Sequence, residues 1–96
     1  MNFQVIDTKH NLINIEVFHP GEFLLEEIQE RELLKKDVAR DLDIMPHHLS
    51  AIFKGDRGIS AKLAIKLEKV FGISAEYWLN MQMAYDLSIA RELMDV

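Results

Sequence analysis

Between Lys35 and Arg57 the chain carries side chains suited to holding a polyanion. Lys35, Lys36, Lys54 and Arg57 are cations that could hold phosphates and set register without reading sequence. His47 and His48 could donate to guanine N7 or O6, or to phosphate, and protonation would strengthen either contact. Ser50 could bond a phosphate or a base edge, while the methyl of Ala51 could touch only a thymine methyl. The bland alternative for the histidine pair is an ordinary polar helix surface. A metal site is not expected, because adjacent helical positions point about 100° apart and no third ligand is evident.

Other chemistry finds little support. No Ser, His and acid set stands at nucleophile-elbow spacing, and no glycine-rich phosphate loop occurs. Gly55-Asp56-Arg57-Gly58 reads as a turn, and the pair Glu26-Glu27 as a solvated helix face. The expectation is a protein that is not an enzyme and takes no cofactor and no small-molecule substrate.

Side chains that read DNA from one short helix need a second helix to hold it at a steep angle. They also need a small residue at the close approach, a turn residue tolerant of positive φ, and apolar anchors. Residues 35–54 supply each of these. Val38 and the small Ala39 lie in the first helix, Asp43 takes the turn, and Ile44, Leu49 and Ile52 are the remaining core contacts. Asp tolerates the left-handed region less well than Gly, but better than most residues. With Leu49, Ile52 and Phe53 inward, the second helix exposes His47, His48, Ser50, Ala51 and Lys54, and its first turn is where base edges would be touched.

The formal net charge is −5, which speaks against nucleic acid when taken whole. Its distribution does not. Residues 35–69 hold eight bases and five acids, a local +3, while the rest holds three bases and eleven acids, −8. A locally basic middle can present a positive face within an acidic protein, although ordinary charge scatter gives the same numbers.

Ninety-six residues make one domain near the low end of what folds alone, and dimerisation would help such a core. The absence of cysteine excludes disulfides, thiolate zinc sites and cysteine nucleophiles. No basic region followed by an apolar run marks a leader, and no apolar stretch suffices to span a membrane, so the expected location is the cytoplasm.

The fold class expected is mainly α, a five-helix helix-turn-helix domain over 19–96 behind an N-terminal β-like arm or hairpin over 1–18. Phe3, Val5, Leu12, Ile13, Ile15, Val17 and Phe18 favour extended backbone around a turn-like stretch at 7–11. Such a unit must lie on the helices or pair with a partner. From Pro20 the period becomes helical, with Pro20 at the first position and Glu22 in the first turn. A second helix spans about Lys35 to Leu42. Pro46 opens a third, which ends at Gly55, Ser60 and Gly72 bracket a fourth, and Ser74 caps a fifth running to about Leu93. On the fifth, Trp78, Met81, Tyr85 and Ile89 share one stripe, and Leu79, Met83, Leu87, Ala90 and Met94 another. One stripe can be buried within the domain. The second calls for another surface, a homodimer partner through Trp78, Met81, Tyr85 and Ile89, or else for wrapping by the chain's own arm.

Several blocks in order carry a resemblance: His19-Pro20-Gly21-Glu22-Phe23-Leu24, Ala39, Gly55, Ala64-Ile65-Lys66-Leu67, Phe71-Gly72 and Tyr77-Trp78-Leu79-Asn80-Met81-Gln82. Over about residues 19–87 the chain resembles the HigA (VapI) antitoxins of bacterial toxin–antitoxin modules, within the lambda-repressor-like (XRE-type) helix-turn-helix class. The resemblance implies an antitoxin that neutralises a cognate toxin, usually a RelE-like ribonuclease, and represses its own operon by binding operator DNA as a dimer joined through the last helix. It also exposes departures. Leu34-Lys35 stands where the family often has Ser-Gln, Ala51 where Arg is common, and Lys54 where Asn is common. A helix-turn-helix protein-interaction module, or a transcriptional regulator without a toxin partner, is the competing expectation.

Overall fold

A computed structural model describes residues 17–94. The chain there forms α1 (Pro20–Glu30), α2 (Lys35–Leu42), α3 (Pro46–Lys54), α4 (Ala61–Phe71) and α5 (Ala75–Met94), with no strand among the described residues. The expected arm or hairpin falls almost wholly outside them, and Val17 to His19 carry no regular structure. No helix of the described residues is long and apolar enough to cross a membrane.

Local signals account for most helix boundaries. Ser60 Oγ accepts the Leu63 amide at 3.2 Å to start α4, and Ser74 Oγ accepts the Tyr77 amide at 3.1 Å to start α5. A second cap on α5 comes from α4, where Glu68 Oε1 accepts the Ala75 amide at 2.7 Å. Left-handed residues close three helices: Asp43 at φ 57° after α2, Gly55 at φ 82° after α3 and Gly72 at φ 75° after α4. The end of α1 has no glycine. Glu32 adopts φ 56° there, and Leu33 N–H donates to Ile28 O at 3.0 Å. Arg31 ties this end down. It pairs with Glu27 at 3.1 Å, donates from Nη2 to Phe71 O at 3.1 Å and lies 4.9 Å from the Phe71 ring centroid.

The core gathers one face from each helix: Leu24 and Ile28, Val38, Ala39 and Leu42, Leu49 and Ile52, then Leu63, Ala64, Leu67 and Phe71, closed by Ile59 and Trp78. Trp78 has no solvent exposure. Its indole donates to Ile73 O at 3.2 Å, and its ring lies 5.3 Å from Phe23 and 6.4 Å from Phe71. Removing such a side chain costs about 3–5 kcal/mol. Trp78 therefore has no surface to offer a partner, contrary to the expectation from its stripe. Met81 also packs against the core, and Tyr85 meets His19 edge to face at 4.8 Å. Of that stripe only Ile89 is exposed, beside Met83, Leu87, Ala90 and Met94 of the other, whose Leu79 packs against the core.

The joint between α1 and α3 is a close backbone approach. Gly21 lies against the backbone of Ile52, and a Cβ there would collide with the Ile52 carbonyl. His19 seals the same joint, since its Nδ1 accepts the Gly21 amide at 2.9 Å and its ring lies beside Gly55. The colliding atoms at Gly21 belong to backbone, so Gly21→Ala is expected to destabilise the domain by about 3 kcal/mol or more. Gly72→Ala has open space and meets only the left-handed penalty of about 1–2 kcal/mol. Urea unfolding of the two variants measures this order, and a Gly21→Ala protein as stable as the parent would contradict the close approach.

Candidate nucleic-acid interface

The recognition geometry rests on α2 and α3. Asp43 turns the chain between them, with Asp43 N–H donating to Arg40 O at 3.0 Å and Ile44 N–H to Ala39 O at 3.0 Å. Leu49 and Ile52 are buried under α3, which turns His47, Ser50 and Lys54 fully outward and leaves His48 and Ala51 half-buried. Unlike α1, α4 and α5, neither α2 nor α3 has a side chain capping its N-terminus. Leu34 and Met45 occupy those cap positions, which leaves the Lys35 and Lys36 amides of α2 and the His47 amide of α3 without a side-chain acceptor.

The loop after α3 carries Arg57. Asp56 N–H donates to Ala51 O at 2.9 Å and Arg57 N–H to the same oxygen at 3.3 Å, wrapping the loop back on α3. Ile59 is buried and anchors its far end. Both Arg57 and Lys66 lie close enough to His48 to act on its charge. The His48 imidazole is pushed below the ordinary value of 6.5 by burial first, then by the positive charges of Arg57, His47 and Lys66. His48 is thus held toward its neutral form in the free protein.

Lys35 lies at another edge, its Nζ 5.5 Å from the Phe53 ring centroid, a cation–π distance. From His47 to Lys54 the helix covers about 10 Å. The structure therefore groups His47, His48, Arg57 and Lys66, with Ser50 and Lys54 farther along the same helix. Lys36 is exposed near the start of α2 without a contact that ties it to the group. None of the ion pairs among the described residues engages Lys35, Lys36, Lys54, Arg57 or Lys66; those at Arg40 go to Asp37 and Asp41, at 3.3 and 3.4 Å.

Two contributors were not assigned from sequence. Lys66 lies on α4, and its i,i+4 spacing from Lys62 is the sequence signal for a shared basic face. Gln82, on α5, reaches the Arg57 loop, where its Oε1 accepts the Ile59 amide at 2.7 Å. Nothing local to residue 82 announces that contact.

With this geometry in view, known proteins bear on it. The helix-turn-helix family model (HTH_3) matches residues 24–78. Virulence-associated protein I of Dichelobacter nodosus is 41% identical over 75 residues, covering 77% of this chain and 69% of that protein. The chain belongs to the HigA (VapI) family of helix-turn-helix proteins. Among solved structures, an addiction module antidote protein of the HigA family from Coxiella burnetii superimposes with a TM-score of 0.75 at 38% identity, covering 81% of this chain and 86% of that one. Antitoxin HigA of Pseudomonas aeruginosa, solved with the higBA promoter, gives a TM-score of 0.76 at 35% identity and covers 81% and 86%. The family's opening block now has a physical content. His19 caps α1, Pro20 starts it, Gly21 admits α3, and Glu22 adds first-turn charge.

The cap makes the fold sensitive to acid. Nδ1 of His19 can accept the Gly21 amide only when it carries no proton, so the neutral ring is the one that fits. Burial, the larger influence, holds its pKa below 6.5, against the opposing pull of Asp86 and Glu22. The folded domain then binds fewer protons than the unfolded chain. This contribution to stability is complete above the unfolded value of about 6.5, and it is lost as pH falls through the lowered folded value. Melting temperature is expected to drop in that window, and His19→Asn, a cap that does not titrate, is expected to flatten the drop while lowering stability at neutral pH. An equally steep acid dependence in His19→Asn would remove His19 as its source.

Proposed function

We propose that this protein is an antitoxin that binds and neutralises a cognate RelE-like ribonuclease toxin and represses its own operon by binding operator DNA as a dimer. The observation that carries the DNA half is the outward face of α3 and its following loop. His47, Ser50 and Lys54 are exposed there, Arg57 and Lys66 act on His48, and the cations meet no internal carboxylate partner among the described residues. This sits in a chain whose overall charge is −5, so the bases are concentrated where phosphates would lie. The Pseudomonas aeruginosa relative solved with its promoter supports the same use of the fold.

The dimer reading rests on α5. Met83 and Leu87 are 53% and 43% exposed, and Leu93 and Met94 are 81% and 77% exposed, an apolar strip that a second copy would cover. A two-fold pairing would set two copies of α3 about 34 Å apart, one DNA turn, and would call for a palindromic operator. Base-reading groups on α3 are few, since Ala51 offers only a methyl. Affinity is therefore expected to come mostly from phosphates.

Gel shifts with the DNA upstream of the gene, at several salt concentrations, test the repressor half. Binding that weakens steeply with salt and is lost in a Lys35→Glu, Lys54→Glu double variant is the expected result. Absence of any shift, with or without a co-expressed neighbouring gene product, would favour the interaction module instead. If no small protein encoded beside the gene co-purifies with this one, the antitoxin half fails.

Leu87→Glu is expected to halve the solution mass measured by light scattering and to weaken operator binding, because it places a carboxylate in the middle of the apolar strip. A parent protein that runs as a monomer, or a variant of unchanged mass, would overturn the α5 dimer.

A further inference from the structure

We infer that Gln82 is a positioning residue for DNA binding, holding the Arg57 loop in place from the last helix. The inference rests on the reading of Arg57 as a phosphate contact. Its basis is a set of contacts between α5 and residues 58–59, far from α5 in sequence.

The loop from Gly55 to Ser60 has two ends of different character. The first is wrapped on α3 by the Asp56 and Arg57 amides. The second leaves α3 and must be held by something else. Ile59 N–H points away from any helix ladder, and its acceptor is the Gln82 side chain at 2.7 Å. The other half of that carboxamide is also engaged, with Nε2 donating to Asp86 Oδ1 at 3.0 Å. Asp86 stands one turn along α5, so it fixes the amide's orientation and presents the oxygen to Ile59.

Gly58 completes the arrangement. A Cβ at Gly58 would lie 3.0 Å from Cδ, from Nε2 and from Oε1 of Gln82, so the loop backbone rests on the face of the carboxamide. No positive φ is involved at Gly58; the requirement there is for space. A methyl group would push the carboxamide away or lift the loop. Arg57 is the residue immediately before, and its guanidinium has no ion pair within the described protein to hold it. Its placement therefore depends on both ends of the loop, its own amide bond to Ala51 O on one side and the backbone at 58 and 59, held by Gln82, on the other.

Three single variants and one double variant test this, using the full chain and the DNA upstream of its gene. Arg57→Ala is expected to lower affinity and to reduce the slope of log affinity against log salt by about one, as for one lost phosphate contact. Gln82→Ala and Gly58→Ala are expected to reproduce that reduced slope, with an affinity loss of roughly tenfold, although neither removes a charge. Solution mass and helical content should stay at parental values. Gln82→Ala added to Arg57→Ala should cost little more, since both act through one contact. Parental salt slopes in Gln82→Ala and Gly58→Ala, or an additive double variant, would overturn the positioning role while leaving the phosphate reading of Arg57 intact. A parental slope in Arg57→Ala would remove that reading, and the inference with it.

Discussion

The missing side chain of Gly21 sets the geometry on which the rest depends. Two helices whose backbones come this close leave no room for adjustment, so α3 is pinned to the start of α1 with a fixed tilt. His19 and Pro20 make that start rigid, the first by capping it and the second by pre-setting φ. The recognition helix has few anchors of its own, chiefly Leu49 and Ile52 on a nine-residue element. A short helix gains little from intrinsic propensity, so its position comes from what it is packed against. The glycine joint supplies that position.

A second constraint runs from the opposite end of the chain. α5 fills the core with Trp78, touches His19 through Tyr85 and reaches the Arg57 loop through Gln82. One helix thereby contacts both the joint under α3 and the loop after it, while turning Met83 and Leu87 outward. The apolar strip proposed for a second copy lies on α5 itself, and the same helix holds the loop proposed for phosphates through Gln82. α5 is held by buried apolar area and by hydrogen bonds to backbone groups, both of which resist small displacements.

Much of this was legible in the residues. The five helices begin and end where Pro20, Pro46, Ser60, Ser74, Gly55 and Gly72 place them, and Asp43 adopts the left-handed turn expected of it. The end of α1 was not legible, because Glu32 takes a positive φ with no glycine to mark it. The bond from Arg31 to Phe71 was not legible either, because its two ends lie forty residues apart. The basic face was legible as a list of residues. Its grouping was not: the charge of Lys66 on α4 acts on His48 on α3, while Lys35 lies beside Phe53.

Helix five marks the boundary between the two kinds of knowledge. Spacing at about 100° per residue separated its apolar positions into two stripes, and the structure follows that division except at Leu79, which packs on the core, and Ile89, which is exposed. Periodicity describes angles about a helix's own axis and contains nothing about where neighbouring helices stand. Choosing Trp78 rather than Met83 for the interior required the aromatic pocket formed by Phe23 and Phe71. The caps, turns and periods were readable because each involves partners a few residues apart, whose geometry backbone chemistry fixes. The pinned joint at Gly21, the cluster around His48 and the Gln82 contact emerged with the packing, because each joins residues that meet only once all five helices are in place.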